Sequence, residues 1–325
     1  MALRLTHLLD EAVELRHDGA LLCRYVYAPD LSARESPMPY FHPLRTLAGD
    51  EVTLFRPHDH PWHKGLALTC AQLSGQNFWG GPTYVRDQGY VQLPNNGRVV
   101  HRGWRALACD GERASLAEDL VWLTADGEPW LTEERRIAVA EIVPSEGRWS
   151  LDLDFRLTNV AARPLAFGSP TTAGRPGAGY GGLFWRGPRS FGGGRILGGG
   201  DLTGEEIMGR RAPWLAYSGR HDGVDRASTL IFLDGPGNPR HPTAWFVRAT
   251  SYVGVSAAFM FDQEYPLLPG AVLALRYRLV LAEGMWTATR IEELAGRYRR
   301  DAAPDPGPGI RDGETPNDTG VGGMP

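Results

Sequence analysis

The sequence predicts an all-β protein, a two-layer sandwich of antiparallel β-sheets with one helix near the C-terminus. Three observations predict it. Short apolar or alternating runs recur between turn signals along the whole chain. Glycine (41) and proline (25) are abundant, supplying the many turns such a fold requires. Convincing helical spacing occurs in one place only.

Taken in order, the runs are Ala20–Tyr27, Val52–Arg56, Leu66–Gln72, Tyr90–Leu93, Val99–Ala108, Ala114–Thr124, Arg135–Val143 and Trp149–Thr158. Later come Ser228–Leu233, Ala244–Arg248, Val253–Phe261 and Val272–Leu281. Ser150–Thr158 alternates strictly, with apolar side chains on one face and polar ones on the other. In Val272–Leu281 a Leu-Leu-Tyr-Leu face opposes Arg276 and Arg278. Strands at this density imply packed antiparallel sheets. Thr289–Arg300 places Ile291, Leu294, Ala295 and Tyr298 at helical spacing, as expected of a helix capping an edge or open end of a sheet. The stretch Gly168–Gly200 reads as a long glycine-rich connection, although Tyr180, Phe184, Trp185 and Arg186 lie within it.

No shift in composition marks a boundary before residue 300, so one sandwich domain is expected over 1–301. Residues 302–325, rich in Pro, Gly, Asp and Thr, are expected to be a disordered tail. A net charge of −4 with mixed signs gives no footprint for nucleic acid or an anionic membrane. Cys23, Cys70 and Cys109 are odd in number and show no Cys-x-x-Cys spacing, which suits a reducing compartment. Neither a signal peptide nor a membrane-spanning apolar run is read, so a cytoplasmic location is expected. Oligomeric state is not legible.

The densest chemical signal is His58-Asp-His-Pro-Trp-His-Lys-Gly65, preceded by His42 in Tyr40-Phe-His-Pro-Leu-Arg45. Imidazole titrates near neutrality and ligates metals, so acid–base work and metal binding are both open. If the strand from Val52 continued, His58 and His60 would project from one face. His58, His60 and His63 could then hold a divalent metal; equally, one histidine could move a proton while Asp59 fixes its tautomer. They could also simply satisfy backbone groups at a strand end, packed by Trp62. A second constellation, Asn238-Pro-Arg-His-Pro-Thr243, aims Asn238, Arg240 and His241 from a rigid loop, with Arg248 on the following strand. Such a fork suits a polyhydroxylated or carboxylated ligand; a self-stabilised turn is the plainer reading. Glu264, between two late strands, could partner an imidazole or be a solvated charge. Asn77, Trp79, Trp185 and Trp214 could offer flat faces for carbohydrate, or the tryptophans could fill the core.

Several motifs, in one order, resemble a bacterial family of proteins labelled PmoA. They are Tyr40–Thr46, Asp59–Leu66, Asn77-Phe-Trp79, Gly174–Arg186, Pro213–Gly219 and Asn238–Thr243. The resemblance spans roughly residues 20–285 and implies a carbohydrate context; with no spanning segment in this chain, it does not imply methane oxidation. The histidine motif is also loosely similar to that of galactose-mutarotase-like sandwiches, in which histidines flank a sugar ring and a late glutamate acts as base. This second resemblance implies a mutarotase-like supersandwich, with His60 or His63 and Glu264 in those roles.

The expected function is therefore an enzyme acting on a sugar or sugar derivative by histidine/carboxylate acid–base chemistry: isomerisation, elimination or hydrolysis. Catalytic candidates are His60, His63, His42 and Glu264. His58, Trp62, Asn77, Trp79, Tyr180, Arg186, Asn238, Arg240, His241 and Arg248 are expected to bind a small-molecule carbohydrate. No cofactor is expected. A metal-dependent enzyme using His58, His60 and His63, and a non-catalytic carbohydrate-binding protein, are the alternatives.

Overall fold

The computed structural model describes residues 2–301. The expected tail at 302–325 lies outside the described residues. Among them, the strands form an antiparallel sheet of eleven, a second of nine and a separate hairpin.

The first sheet runs Leu3–Leu8, Ala12–His17, Ala20–Val26, Tyr40–Leu44, Leu66–Leu73, Gly182–Arg186, Gly254–Ala257 and Trp245–Arg248. Leu165–Gly168, Tyr265–Leu267 and Gln76–Phe78 join it off that path. The second runs Leu202–Thr203, Arg195–Gly198, Trp214–Arg220, Ala227–Asp234, Val272–Glu283, Arg148–Asn159, Pro129–Val143, Ala114–Leu123 and Arg98–Cys109. Alternation sets the two faces of the second sheet. Leu151, Leu153, Phe155 and Leu157 point inward, while Asp152 and Asp154 point outward opposite Arg278 and Arg276 on the neighbouring strand. Arg278 Nε meets Asp152 Oδ1 at 2.6 Å across that pair.

The inner faces share one apolar cluster that draws on both sheets. Trp185 of the first sheet approaches Tyr217 and Phe232 of the second, with ring centroids 5.4 and 5.7 Å apart. Its indole N–H donates to the Val52 carbonyl at 2.8 Å, which satisfies the one polar atom of a fully buried ring.

The helix Ala288–Asp301 covers the outer face of the second sheet rather than an edge or open end. Ile291, Leu294, Ala295 and Tyr298 pack on Trp214, Ala216, Ile231, Leu233, Val280 and Ala282. The alternate residues Leu215, Tyr217, Leu230, Phe232, Leu279 and Leu281 face the core. These strands are buried on both faces and therefore read as continuous apolar runs.

Two expectations fail for related reasons. Val52–Arg56 is not a strand; isolated bridges join Arg45 to Glu51 and Phe55 to Lys64. Its backbone is used elsewhere, with Val52 N donating to Leu44 O and Leu54 N to Arg186 O, each at 2.9 Å. Conversely, the glycine-rich stretch 168–200 contains two strands, Gly182–Arg186 and Arg195–Gly198. Gly182–Arg186 sits centrally in its sheet with all five residues buried, so it shows no alternation to read.

Candidate functional site

The same both-face burial builds a cavity on the outer side of the first sheet. In Gly182–Arg186, Leu183 and Trp185 enter the core while Phe184 faces outward. In Trp245–Arg248, Trp245 and Val247 enter the core while Phe246 faces outward. Phe184, Phe246, Ala71, Trp79, Ala178, Tyr180, Ala258 and Phe261 form a separate apolar cluster. Above it opens a cavity of about 470 Å³, walled by His60, Trp62, His63, Trp79, Tyr90, Arg175, Tyr180, Arg248 and Tyr252. That volume lies within the usual range for small-ligand sites.

The histidine segment is a pair of tight turns, not a strand. His60 N donates to Pro57 O at 3.0 Å, and His63 N to His60 O at 2.9 Å. The turns part the His58 ring from the other two. His58 is exposed and accepts at Nδ1 from Arg189 at 2.9 Å. His60 and His63 stack, with centroids 4.6 Å apart and planes 20° apart, and both reach the cavity. Among the described residues no group of three or more His, Cys, Asp and Glu is placed to hold a metal ion, so the donor set does not fit the metal reading.

His60 Nδ1 lies 2.9 Å from Asp59 Oδ2. As carboxylates only accept, the ring N–H sits on Nδ1 and Nε2 is left with its lone pair. Asp59 also meets Arg189 at 2.9 Å and Arg186 at 3.7 Å. Partial burial raises its pKa, but the His60 hydrogen bond and Arg186 outweigh this and hold it below the usual carboxylate value. His63 is 2% exposed and ringed by Trp79 (5.2 Å), Phe184 (5.0 Å) and Tyr252 (5.4 Å). Burial first, then the charges of His60, Arg186 and Lys64, push its pKa well below 6.5, so it is neutral at pH 7. Arg186 Nη1 approaches His63 Nδ1 at 3.5 Å, which assigns the proton of the neutral ring to Nε2.

Trp62 is held by two devices. Lys64, which is buried, donates to the carbonyls of Glu35 and Trp62 at 2.5 and 2.9 Å; burial pushes its pKa down to about 7, against the pull of Glu35. The indole lies on Gly81, where a Cβ would stand 2.6 Å from the ring. Gly81 also has φ +65°, a conformation that favours glycine. Trp79 is aimed by Asn77, whose Oδ1 accepts from Trp79 N and Gly80 N at 2.9 Å each. Opposite, Tyr180 packs on Trp79 at 4.4 Å, and its hydroxyl shares a 2.9 Å hydrogen bond with that of Tyr90.

Of the residues expected at a site, the structure thus gathers His60, Trp62, His63, Trp79, Tyr180 and Arg248 at one cavity. Asn77 and Arg186 stand behind it as supports; Arg186 lies over Tyr252 at 4.6 Å. The others are elsewhere. His42 rests on Thr53, Nδ1 to Oγ1 2.9 Å, and stacks on Phe55. Asn238, Arg240 and His241 brace their own loop. His241 Nδ1 and Asn238 Nδ2 each lie 2.7 Å from an oxygen of buried Asp234, and Arg240 donates to the carbonyls of Phe259, Gln263 and Glu264. The Glu264 side chain is exposed and does not line the cavity, so it is not placed to be the base. Trp185 and Trp214 are core residues. Sequence reasoning missed Tyr90, Arg175, Phe246 and Tyr252. Arg175 and Tyr252 belong to irregular segments with no periodicity, although an arginine among glycines was a usable signal.

A larger hollow, about 810 Å³, runs beside the C-terminal helix. Its Glu292 is already engaged by Arg299 at 2.7 Å and the Trp214 indole at 2.5 Å. The chemistry concentrates in the smaller, aromatic cavity.

No curated protein matches this chain in sequence. Among solved structures, an alpha-galactosidase from Lactobacillus brevis is 10% identical with a TM-score of 0.37, covering 86% of this chain and 39% of that one. A GH36 alpha-galactosidase from Geobacillus stearothermophilus is 12% identical with a TM-score of 0.35, covering 87% and 40%. This chain therefore spans about two fifths of either galactosidase. A galactose 1-epimerase from Lactobacillus acidophilus NCFM is 11% identical with a TM-score of 0.36, covering 84% and 95%. None of these comparisons supports the PmoA label. Residues 12–296, most of the chain, match one family, and the chain belongs to it: the family of unknown function DUF6807.

Proposed function

We propose that the protein is an enzyme that binds a sugar or sugar derivative in the aromatic cavity and acts on it by acid–base chemistry. The observation that carries this reading is the Asp59–His60 pair at a cavity walled by Trp62, Trp79 and Tyr180. Aromatic faces suit the apolar C–H face of a sugar ring. Asp59 fixes the His60 tautomer, so Nε2 can take a proton from the ligand and return it. The Tyr90–Tyr180 hydroxyl pair offers a hydrogen-bond donor on the other wall. Isomerisation and elimination need one such proton-moving group and a donor. Hydrolysis by a flanking carboxylate pair fits less well, because no Asp or Glu is among the residues lining the cavity.

A panel of sugars screened for turnover, with His60→Asn and Tyr180→Phe beside the parent chain, tests it. The expected result is at least a hundredfold loss of kcat in His60→Asn with little change in KM. Full turnover in that variant would sink the acid–base role. A binding protein without turnover is the second reading, favoured by the same lack of a lining carboxylate. It predicts sugar-dependent thermal stabilisation with no product from the pure protein.

A further inference from the structure

Two guanidinium groups enter the cavity wall from different elements. Arg175 comes from the glycine-rich loop, and Arg248 ends the strand Trp245–Arg248. Arg175 lies 4.8 Å over the Tyr90 ring and donates to its hydroxyl. Arg248 lies 5.0 Å over Phe246 and donates to the Gly177 carbonyl at 3.1 Å. Both are thereby steered toward the same space. Neither has a carboxylate partner among the described residues, whereas Arg186 and Arg189 behind the wall share Asp59.

The lining otherwise holds no charge to balance them. It includes no Asp or Glu, and His63 is neutral at pH 7. A chain whose net charge is −4 thus turns two uncompensated cations into one partly enclosed hollow. Apolar walls lower the local dielectric and concentrate such a field on an entering anion. Each guanidinium keeps free N–H groups in the planar fork that matches carboxylate and phosphate oxygens.

We infer that the ligand is an anionic sugar, its carboxylate or phosphate held by Arg175 and Arg248 while the ring lies against the aromatic wall beside His60. This rests on the sugar reading of the cavity and adds the charge of the substrate. It also gives the two arginines a task that neither turn geometry nor core packing explains. An anion fixed at one end of the ring would set which ring carbon faces His60 Nε2.

Calorimetric titration of the full chain tests it with D-glucuronate, D-glucose 6-phosphate, D-glucose and inorganic phosphate as probes. At least one anionic sugar should bind roughly tenfold or more tighter than glucose, the scale of one charge-assisted contact. That advantage over glucose should shrink in Arg248→Gln and in Arg175→Gln, and should fall with added NaCl. Which anionic sugar wins separates carboxylate from phosphate. Inorganic phosphate alone should bind weakly, because it lacks a ring to stack. Equal binding of glucose and both anionic sugars would overturn the charge assignment and leave the sugar site standing. Failure of every sugar to bind, with circular dichroism confirming the fold, would overturn both.

Discussion

His42 provides a quantitative test of the distinction between histidines that work and histidines that pack. Thr53 Oγ1 accepts the Leu44 N–H at 3.1 Å and so turns its own proton toward His42 Nδ1, 2.9 Å away. The ring is therefore held neutral. Burial, helped by Arg45, pushes its pKa from 6.5 to about 4. Unfolded His42 takes up a proton near pH 6.5, whereas folded His42 resists until about pH 4. Its contribution is complete above pH 6.5 and is lost as the pH falls toward 4. Integrating that difference from pH 7.5 to 4.5 gives about 2.5 kcal/mol at ~1.4 kcal/mol per pH unit. Glu51 Oε1, 3.8 Å from Nε2 and half exposed, opposes this by about 0.5 kcal/mol, leaving about 2 kcal/mol. Urea unfolding followed by tryptophan fluorescence, at four pH values across this range, should be run on the parent chain and His42→Gln. His63 is present in both, so its own titration cancels in the difference. The stability gap between them should shrink by about 2 kcal/mol on acidification. A gap constant within about 0.5 kcal/mol would refute the reasoning, and a loss of turnover with stability unchanged would return His42 to the list of working residues.

Three further outcomes follow from the geometry. Gly81→Ala places a methyl group 2.6 Å from the Trp62 ring in a left-handed backbone, so it should cost about 1–3 kcal/mol and abolish sugar-induced changes in tryptophan fluorescence, measured by melting and titration. Asp234→Asn turns an amide toward donors from Asn238, His241 and Thr243, and should cost about 3 kcal/mol while leaving ligand affinity within about twofold; a collapse of affinity in a folded variant would put that loop back in the site. Arg135→Met leaves buried Glu133 without its 2.6 Å partner and Tyr25 without a 2.9 Å donor, so denaturant unfolding should show a loss of about 3–5 kcal/mol, partly recovered by adding Glu133→Gln.

The half-buried strands were the legible part of the fold. Over 152–158 and 272–278 one face is wet, and that alternation gave the element. Gly182–Arg186 was illegible because both its faces are dry, and Gly179 and Gly182 allow close approach there, since a Cβ would stand 2.3 Å from the Phe261 ring and 2.1 Å from the Ala257 carbonyl oxygen. Val52–Arg56 misled in the opposite sense, since its apolar content serves loop packing. At the site, the histidine motif supplies part of one cavity wall through His60, Trp62 and His63. Its internal geometry was lost once Pro61 and two turns replaced the presumed strand, which sent His58 away from His60. The Asn238–Thr243 loop looked like ligand-binding chemistry because a buried carboxylate, Asp234, needs donors of the same kind that a ligand would. A sequence does not say whether a donor's partner arrives from solvent or from the next strand.

Phe184 and Trp185 are neighbours in the chain, yet one joins the outer cluster beneath the cavity and the other fills the core. The same is true of Phe246 and Val247. Change at the floor is therefore coupled to the integrity of the whole sandwich, and selection on ligand preference has little room there. The rim is different: His60, Trp62, His63, Arg175, Tyr180 and Tyr252 reach the cavity from segments outside the strands. Divergence of specificity within this architecture should accumulate in those segments while the floor stays nearly constant.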